Sequence, residues 1–128
     1  MSEKKLVNIL LIEDDQDDAI LFEETLSEVE DDLKPKLSSV ESLEDGIEHL
    51  TTTDTHLVFL DLSLPGTTGL ETYTTLHNQF PNIPIVILTG FIHDSMADEA
   101  RKMGAQDYLV KGDITGESLS NVIRFATE

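Results

Sequence analysis

The chain has no cysteine. That excludes disulfides and thiolate metal sites, and it fits a reducing compartment. It has no apolar run long enough to span a bilayer. Residues 1–8 do not read as a signal peptide: they are polar, carry only Lys4 and Lys5 as basic side chains, and lead straight into a strand-like run. The expected location is the cytoplasm. Basic residues are scarce as well. Eight Lys and Arg stand against 26 Asp and Glu, a formal net charge of −18. No Lys or Arg occurs between Lys36 and Arg101. A field of that sign repels nucleic acid and anionic lipid, which argues against direct DNA or membrane binding. Most of these charges read as a solvated surface.

What is present fits one domain. At 128 residues the chain can bury a core without staples, and the expectation is a single domain over 1–128 with its core at about 7–126. Short apolar runs alternate with helix-like stretches. Val7 to Ile12 is a strand. Asp15 to Glu30 places Ala19, Phe22, Leu26 and Val29 at helical spacing. Lys36 to Val40 is a weak strand, and Leu43 to Leu50 a short helix. His56 to Leu62 is a strong strand, followed by a Pro65-Gly66 turn and a helix from about Gly69 to Gln79. Pro81 and Pro84 bracket the next connection. Ile85 to Leu88 is another apolar strand. A helix from roughly Ser95 to Met103 stops at Gly104. Tyr108 to Val110 is strand-like, and Glu117 to Ala126 closes the chain as a helix. Strict strand–helix alternation predicts an α/β three-layer sandwich: a parallel sheet covered by helices on both faces. The continuous apolar runs agree with strands buried on both sides. The flavodoxin-like (βα)5 fold, strand order 2-1-3-4-5, is the expected topology. Ligands in such sheets bind beyond the carboxyl ends of the strands, at the switch point between the first and third.

That rule directs attention to the strand ends. The first strand ends at Glu13-Asp14-Asp15 and the third at Asp61. Converging there, Glu13, Asp14 and Asp61 would repel one another, and a hard cation such as Mg²⁺ would relieve this. The plainer reading of Glu13-Asp14 is helix capping. Asp61, closing an apolar run just before Pro-Gly, has little structural reason to be there. The fourth strand ends at Thr89-Gly90. The Thr89 hydroxyl can donate to a phosphoryl oxygen, although ordinary β-propensity also explains it. The fifth ends at Lys111, a point charge suited to phosphate, or simply a surface lysine. The set carries the argument: carboxylates, a hydroxyl and an ammonium, each at a separate strand end. It points to phosphoryl transfer through an aspartyl-phosphate, with backbone N–H groups near Ser63 to Thr67 holding the remaining oxygens.

The segments LLIEDD, LVFLDLSLPGTTGLE, IVILTG and GAQDYLVK, in this order, resemble the receiver family of two-component response regulators over roughly Val7 to Phe125. The resemblance implies a phosphorelay switch rather than an enzyme acting on other molecules. Asp61 would be the phosphoacceptor. Glu13, Asp14, Asp61 and the backbone carbonyl of Ser63 would bind Mg²⁺, with Mn²⁺ as a substitute. Thr89 and Lys111 would bind phosphate, and Thr89 with Tyr108 would form the switch. The implied partner is a sensor histidine kinase or a histidine phosphotransfer protein. The output face would be that of the fourth helix, fifth strand and fifth helix, which is also a candidate homodimer surface. There, Leu119, Val122, Ile123, Phe125 and Ala126 exceed what one buried stripe needs, although residue by residue the core is the plainer reading. By the same analogy Ser63 and Phe91 flank the path of the hydrolytic water, with Phe91 as a shield or merely a packing residue.

One departure stands out. Family members commonly have proline after the lysine, and this chain has Gly112, which does not favour a cis bond. Other readings fit less well. A haloacid-dehalogenase-like phosphatase needs Asp-x-Asp on the first strand. A flavin carrier needs an anion-friendly first loop, whereas Glu13 to Asp18 is acidic. The run EDDQDD lacks the glycine and terminal glutamate of a calcium loop. The remaining alternative is a phosphorylation-independent pseudo-receiver, a binding module that usually loses the acceptor Asp or the lysine. Both are present here.

Overall fold

The central strands form where β-branched and other apolar side chains run unbroken, and two weaker strands flank them. In the computed structural model, which describes residues 5–30, 32–64, 66, 69–90 and 94–127, these are β1 (Lys5–Ile12), β2 (Leu33–Val40), β3 (Leu57–Asp61), β4 (Ile85–Thr89) and β5 (Asp107–Val110). They pair in parallel in the order β2-β1-β3-β4-β5, as the alternation predicts. All residues of β3 and β4 are buried, as expected of strands covered on both faces. The helices are α1 (Gln16–Leu26), α2 (Leu43–Thr52), α3 (Leu70–Gln79), α4 (Asp94–Lys102) and α5 (Gly116–Ala126). No helix among the described residues is long and apolar enough to cross a membrane.

Side chains alternate across each strand, and this splits the core into two layers. Leu10, Ile12, Val58, Leu60, Ile85, Ile87 and Tyr108 pack on one face with Leu50, Tyr73, Leu76 and Ala100. Val7, Ile9, Leu11, Leu57, Phe59, Val86 and Leu88 pack on the other with Phe22, Leu26, Leu119, Val122 and Ile123. The rings of Phe22 and Phe59 meet there at 4.8 Å between centroids. Each buried Val, Leu, Ile or Phe of these layers contributes about 1.5–3 kcal/mol. The second layer therefore fixes α1 and α5 over the sheet ends where charged residues sit.

Helix starts follow local chemistry. The side chains of Asp15 and Ser42 cap α1 and α2, accepting from the N–H groups of Asp18 and Asp45. Thr115 and Ser118 form a reciprocal capping box on α5. Gly104, with φ 106°, follows α4, and its left-handed backbone suits glycine. Two boundaries differ from the sequence reading by three residues or more. Helix α1 stops at Leu26 rather than Glu30, because Glu28 and Val29 close a tighter turn onto Thr25 and Leu26. Strand β2 begins at Leu33 rather than Lys36. It lies at the sheet edge, where Pro35, lacking an N–H, is tolerated. Of the residues expected to exceed the buried stripe of α5, Leu119, Val122 and Ile123 are buried, Ala126 is half-buried, and Phe125 is 70% exposed.

Candidate functional site

Strand register assembles the site. Ile12 lies opposite Leu60, so Glu13 emerges one step on, beside Asp61. Asp61 pairs with Leu88 and Thr89 with Val110, which brings Thr89 and Lys111 to the same rim. The alternation that buries Leu11 and Phe59 under α1 and α5 directs Glu13 and Asp61 to that layer too. Thr89 follows the parity of Ile85 and Ile87 and faces the opposite layer. Tyr108, opposite Ile87, shares that layer with Thr89.

Glu13 and Asp61 are almost fully buried, at 3% and 1% exposure, while Asp14 is exposed. Each of the three offers a carboxylate oxygen, and these oxygens lie within 4.8 Å of one another. Such an oxygen-only set suits a hard divalent cation. The Asp61 Oδ1 accepts from the Ser63 N–H at 2.9 Å. One Glu13 oxygen accepts from the Asp15 N–H at 3.2 Å. Lys111 reaches into this cavity from the start of a 3-10 turn at Lys111–Asp113. Its Nζ donates to Glu13 Oε1 and to Asp18 Oδ2, the latter at 2.9 Å, and lies 3.4 Å from Asp61 Oδ2.

The electrostatics follow from burial and crowding. Loss of solvent pushes Glu13 up to about 7, and its hydrogen bond to Asp61 adds to that, against the smaller pull of Lys111. Burial alone would lower the Lys111 ammonium, but the carboxylates of Asp18, Glu13 and Asp61 outweigh it and hold the lysine above its ordinary range. Burial thus disfavours the charged form of Glu13, while the surrounding carboxylates favour the charged form of Lys111.

The structure thus brings Glu13, Asp14, Asp61 and Lys111 together and places Thr89 at the same rim. Ser63 is exposed and adjoins Asp61. Tyr108 is buried, and its Oη has no hydrogen-bond partner among the described residues. Gly112 is exposed, and among the described residues no peptide bond is cis. Phe91 lies outside the described residues, as do Pro65 and Thr67 of the loop after Asp61. Sequence reading missed Asp18. Nothing local separates it from the rest of the acidic stretch Glu13 to Asp18.

The sequence profile of the family described as response regulator receiver domain matches residues 9–124. The regulatory protein LuxO of Vibrio cholerae is 31% identical over 121 residues, covering 92% of this chain and 26% of that protein. The nitrate/nitrite response regulator protein NarL of Escherichia coli is 36% identical over 83 residues, covering 65% of this chain and 38% of that protein. The chain therefore spans well under half the length of these relatives. Among solved structures, the signal receiver domain of a putative LuxO repressor protein from Vibrio parahaemolyticus superposes with a TM-score of 0.80 at 23% identity, covering 96% of this chain and 91% of that one. A CheY-like receiver domain protein from Methanospirillum hungatei gives 0.71 at 20% identity, covering 94% and 92%. At these identities the structural likeness speaks for the fold.

Proposed function

Because this chain belongs to the response regulator receiver domain family, we propose that it is a phosphoacceptor switch, with Asp61 taking a phosphoryl group from a histidine kinase or a histidine phosphotransfer protein. The observation that carries this reading is the approach of the Lys111 ammonium to within 3.4 Å of the buried Asp61 carboxylate. In the step, an Asp61 oxygen bonds to phosphorus while the phosphorus–nitrogen bond of the donor histidine breaks. The imidazole leaves and the aspartyl-phosphate remains. Lys111 neutralises charge on the transferring group, and the Thr89 hydroxyl and the Ser63 N–H hold its oxygens. Glu13, Asp14, Asp61 and the backbone carbonyl of Ser63 are the residues that would hold Mg²⁺. Bound there, the cation supplies the positive charge that three close carboxylates and a phosphoryl group require.

The Thr89 hydroxyl, drawn to the new phosphoryl group, leaves space in the layer it shares with Tyr108. Tyr108 already carries a buried hydroxyl with no partner among the described residues, a group with reason to move. Their joint movement would alter the face of α4, β5 and α5, where Phe125 is exposed. In this reading the chain acts on other molecules as a signal carrier and catalyses only its own phosphorylation and dephosphorylation.

Incubation with acetyl phosphate tests the reading. The protein is expected to gain the mass of one phosphoryl group only when Mg²⁺ is present, and Asp61→Asn is expected to gain none. Silence with acetyl phosphate and with a histidine kinase would instead favour a phosphorylation-independent interaction module.

A further inference from the structure

Lys111 is gripped from outside the acidic cluster. Asp18 is the third residue of α1, 93 positions before the lysine, and its Oδ2 accepts from Lys111 Nζ at 2.9 Å. Its backbone is fixed: its N–H donates to the capping oxygen of Asp15 at 3.1 Å, and α1 is pinned to the sheet through Phe22 and Leu26. Helix initiation is already served by Asp15, which leaves the Asp18 carboxylate for Lys111. Resting on the function proposed above, we propose that Asp18 is a positioning residue that holds the Lys111 ammonium over Asp61 throughout the phosphorylation cycle.

The reasoning turns on which carboxylates stay available. The Lys111 ammonium has three donors, and its carboxylate partners among the described residues are Glu13, Asp18 and Asp61. Glu13 and Asp61 also belong to the acidic cluster with Asp14, and Asp18 does not. A cation drawn to that cluster competes with Lys111 for two of its three partners. Phosphorylation then changes Asp61 again. Asp18 is the partner left out of both events. A lysine head is strongly hydrated on a flexible four-carbon stem, and the Lys111 side chain is 21% exposed, so a route to solvent is open. The hold does not withdraw the lysine from the reacting carboxylate, because the Asp18 bond and the 3.4 Å approach to Asp61 coexist.

The test pairs a structural readout with a kinetic one. Lysine-selective NMR of the whole chain reports the mobility of the Lys111 ε-methylene. It is expected to be rigid in wild type, mobile in Asp18→Ala, and intermediate in Asp18→Asn, whose amide oxygen still accepts. The phosphorylation rate with acetyl phosphate at saturating Mg²⁺ is expected to fall about fivefold in Asp18→Ala, the size of one partly exposed charge-assisted bond. In a Lys111→Met background the same substitution is expected to change nothing further. A rigid Lys111 in Asp18→Ala overturns the proposal, and so does an equal rate loss with and without the lysine. If wild type itself takes up no phosphoryl group, the function proposed above fails, and the NMR comparison still decides whether Asp18 positions Lys111.

Discussion

Glu13 shows how one residue carries both a structural cost and a functional readiness. Burial and its bond to Asp61 push its carboxyl up to about 7, whereas in the unfolded chain it titrates near 4.5. Between those values the folded state binds the extra proton. Stability from this group is therefore greatest below pH 4.5, falls as pH rises toward 7, and levels off beyond. Glu13→Gln keeps the shape without the charge. In metal-free protein it should come within about 1 kcal/mol of wild type near pH 5 and exceed it above pH 7 by up to about 3 kcal/mol. Urea unfolding at pH 5 and pH 8 in the presence of a chelator measures this, and parallel behaviour of the two proteins would contradict it. Glu13, Asp61 and Lys111 were legible in the sequence because each stops an apolar run with a charge. The tie between Asp18 and Lys111 was not, since nothing local distinguishes a carboxylate that caps from one that reaches across to a residue 93 positions away.

At the scale of elements, α5 is fixed by its contacts with the turn after α1. The Ser120 Oγ accepts from the Glu30 N–H at 3.0 Å and donates to the Gly116 carbonyl at 2.8 Å. Arg124 pairs with Glu30 at 2.9 Å and with Asp32 at 2.6 Å. Its hydrogen bond to Asp32 is the main cause of a raised guanidinium and a lowered carboxyl. A Cβ on Gly116 would sit 2.7 Å from the Glu28 carbonyl oxygen, so backbone must move. Gly116→Ala should destabilise the fold by about 1–3 kcal/mol, read as a lower denaturant midpoint with unchanged slope. The exposed face of α1 makes a different prediction. Glu23 and Glu24 are exposed there, and Glu28 in the turn just after it, beside exposed Ile20 and Leu21. Reversing the three charges to Lys should slow phosphotransfer from a cognate kinase about threefold to tenfold at low salt, while leaving the acetyl phosphate rate unchanged. Equal kinase rates would remove these residues from partner selection. The elements themselves were legible from periodicity and from Gly and Pro punctuation. Strand β2 was the weakest signal, because an edge strand reading LKPKLSSV alternates with charge and tolerates a proline that a central strand would refuse.

For the whole molecule, a net charge of −18 is a uniform stress on a fold held by two apolar layers. Self-repulsion destabilises the compact state and is screened within about 10 Å at 0.1 M salt. Raising monovalent salt from about 0.05 M to 0.5 M should therefore raise the melting temperature. A fall would mean that the ion pairs of Arg124 and Lys111 outweigh the general repulsion. The sheet order was within reach of the sequence because alternation and right-handed crossovers leave few arrangements, the flavodoxin-like order being a common one among them. The same order brings Glu13, Asp61, Thr89 and Lys111 to one rim, and the account as a whole rests on Asp61 being the residue that reacts there. Reductive trapping with borohydride addresses that directly, since it converts a phosphorylated aspartate to homoserine. After reaction with acetyl phosphate and Mg²⁺, peptide mass spectrometry should find homoserine at position 61 and nowhere else. Trapping at Asp14 or Asp15 instead, or at no residue in protein that has gained a phosphoryl group, would contradict the account.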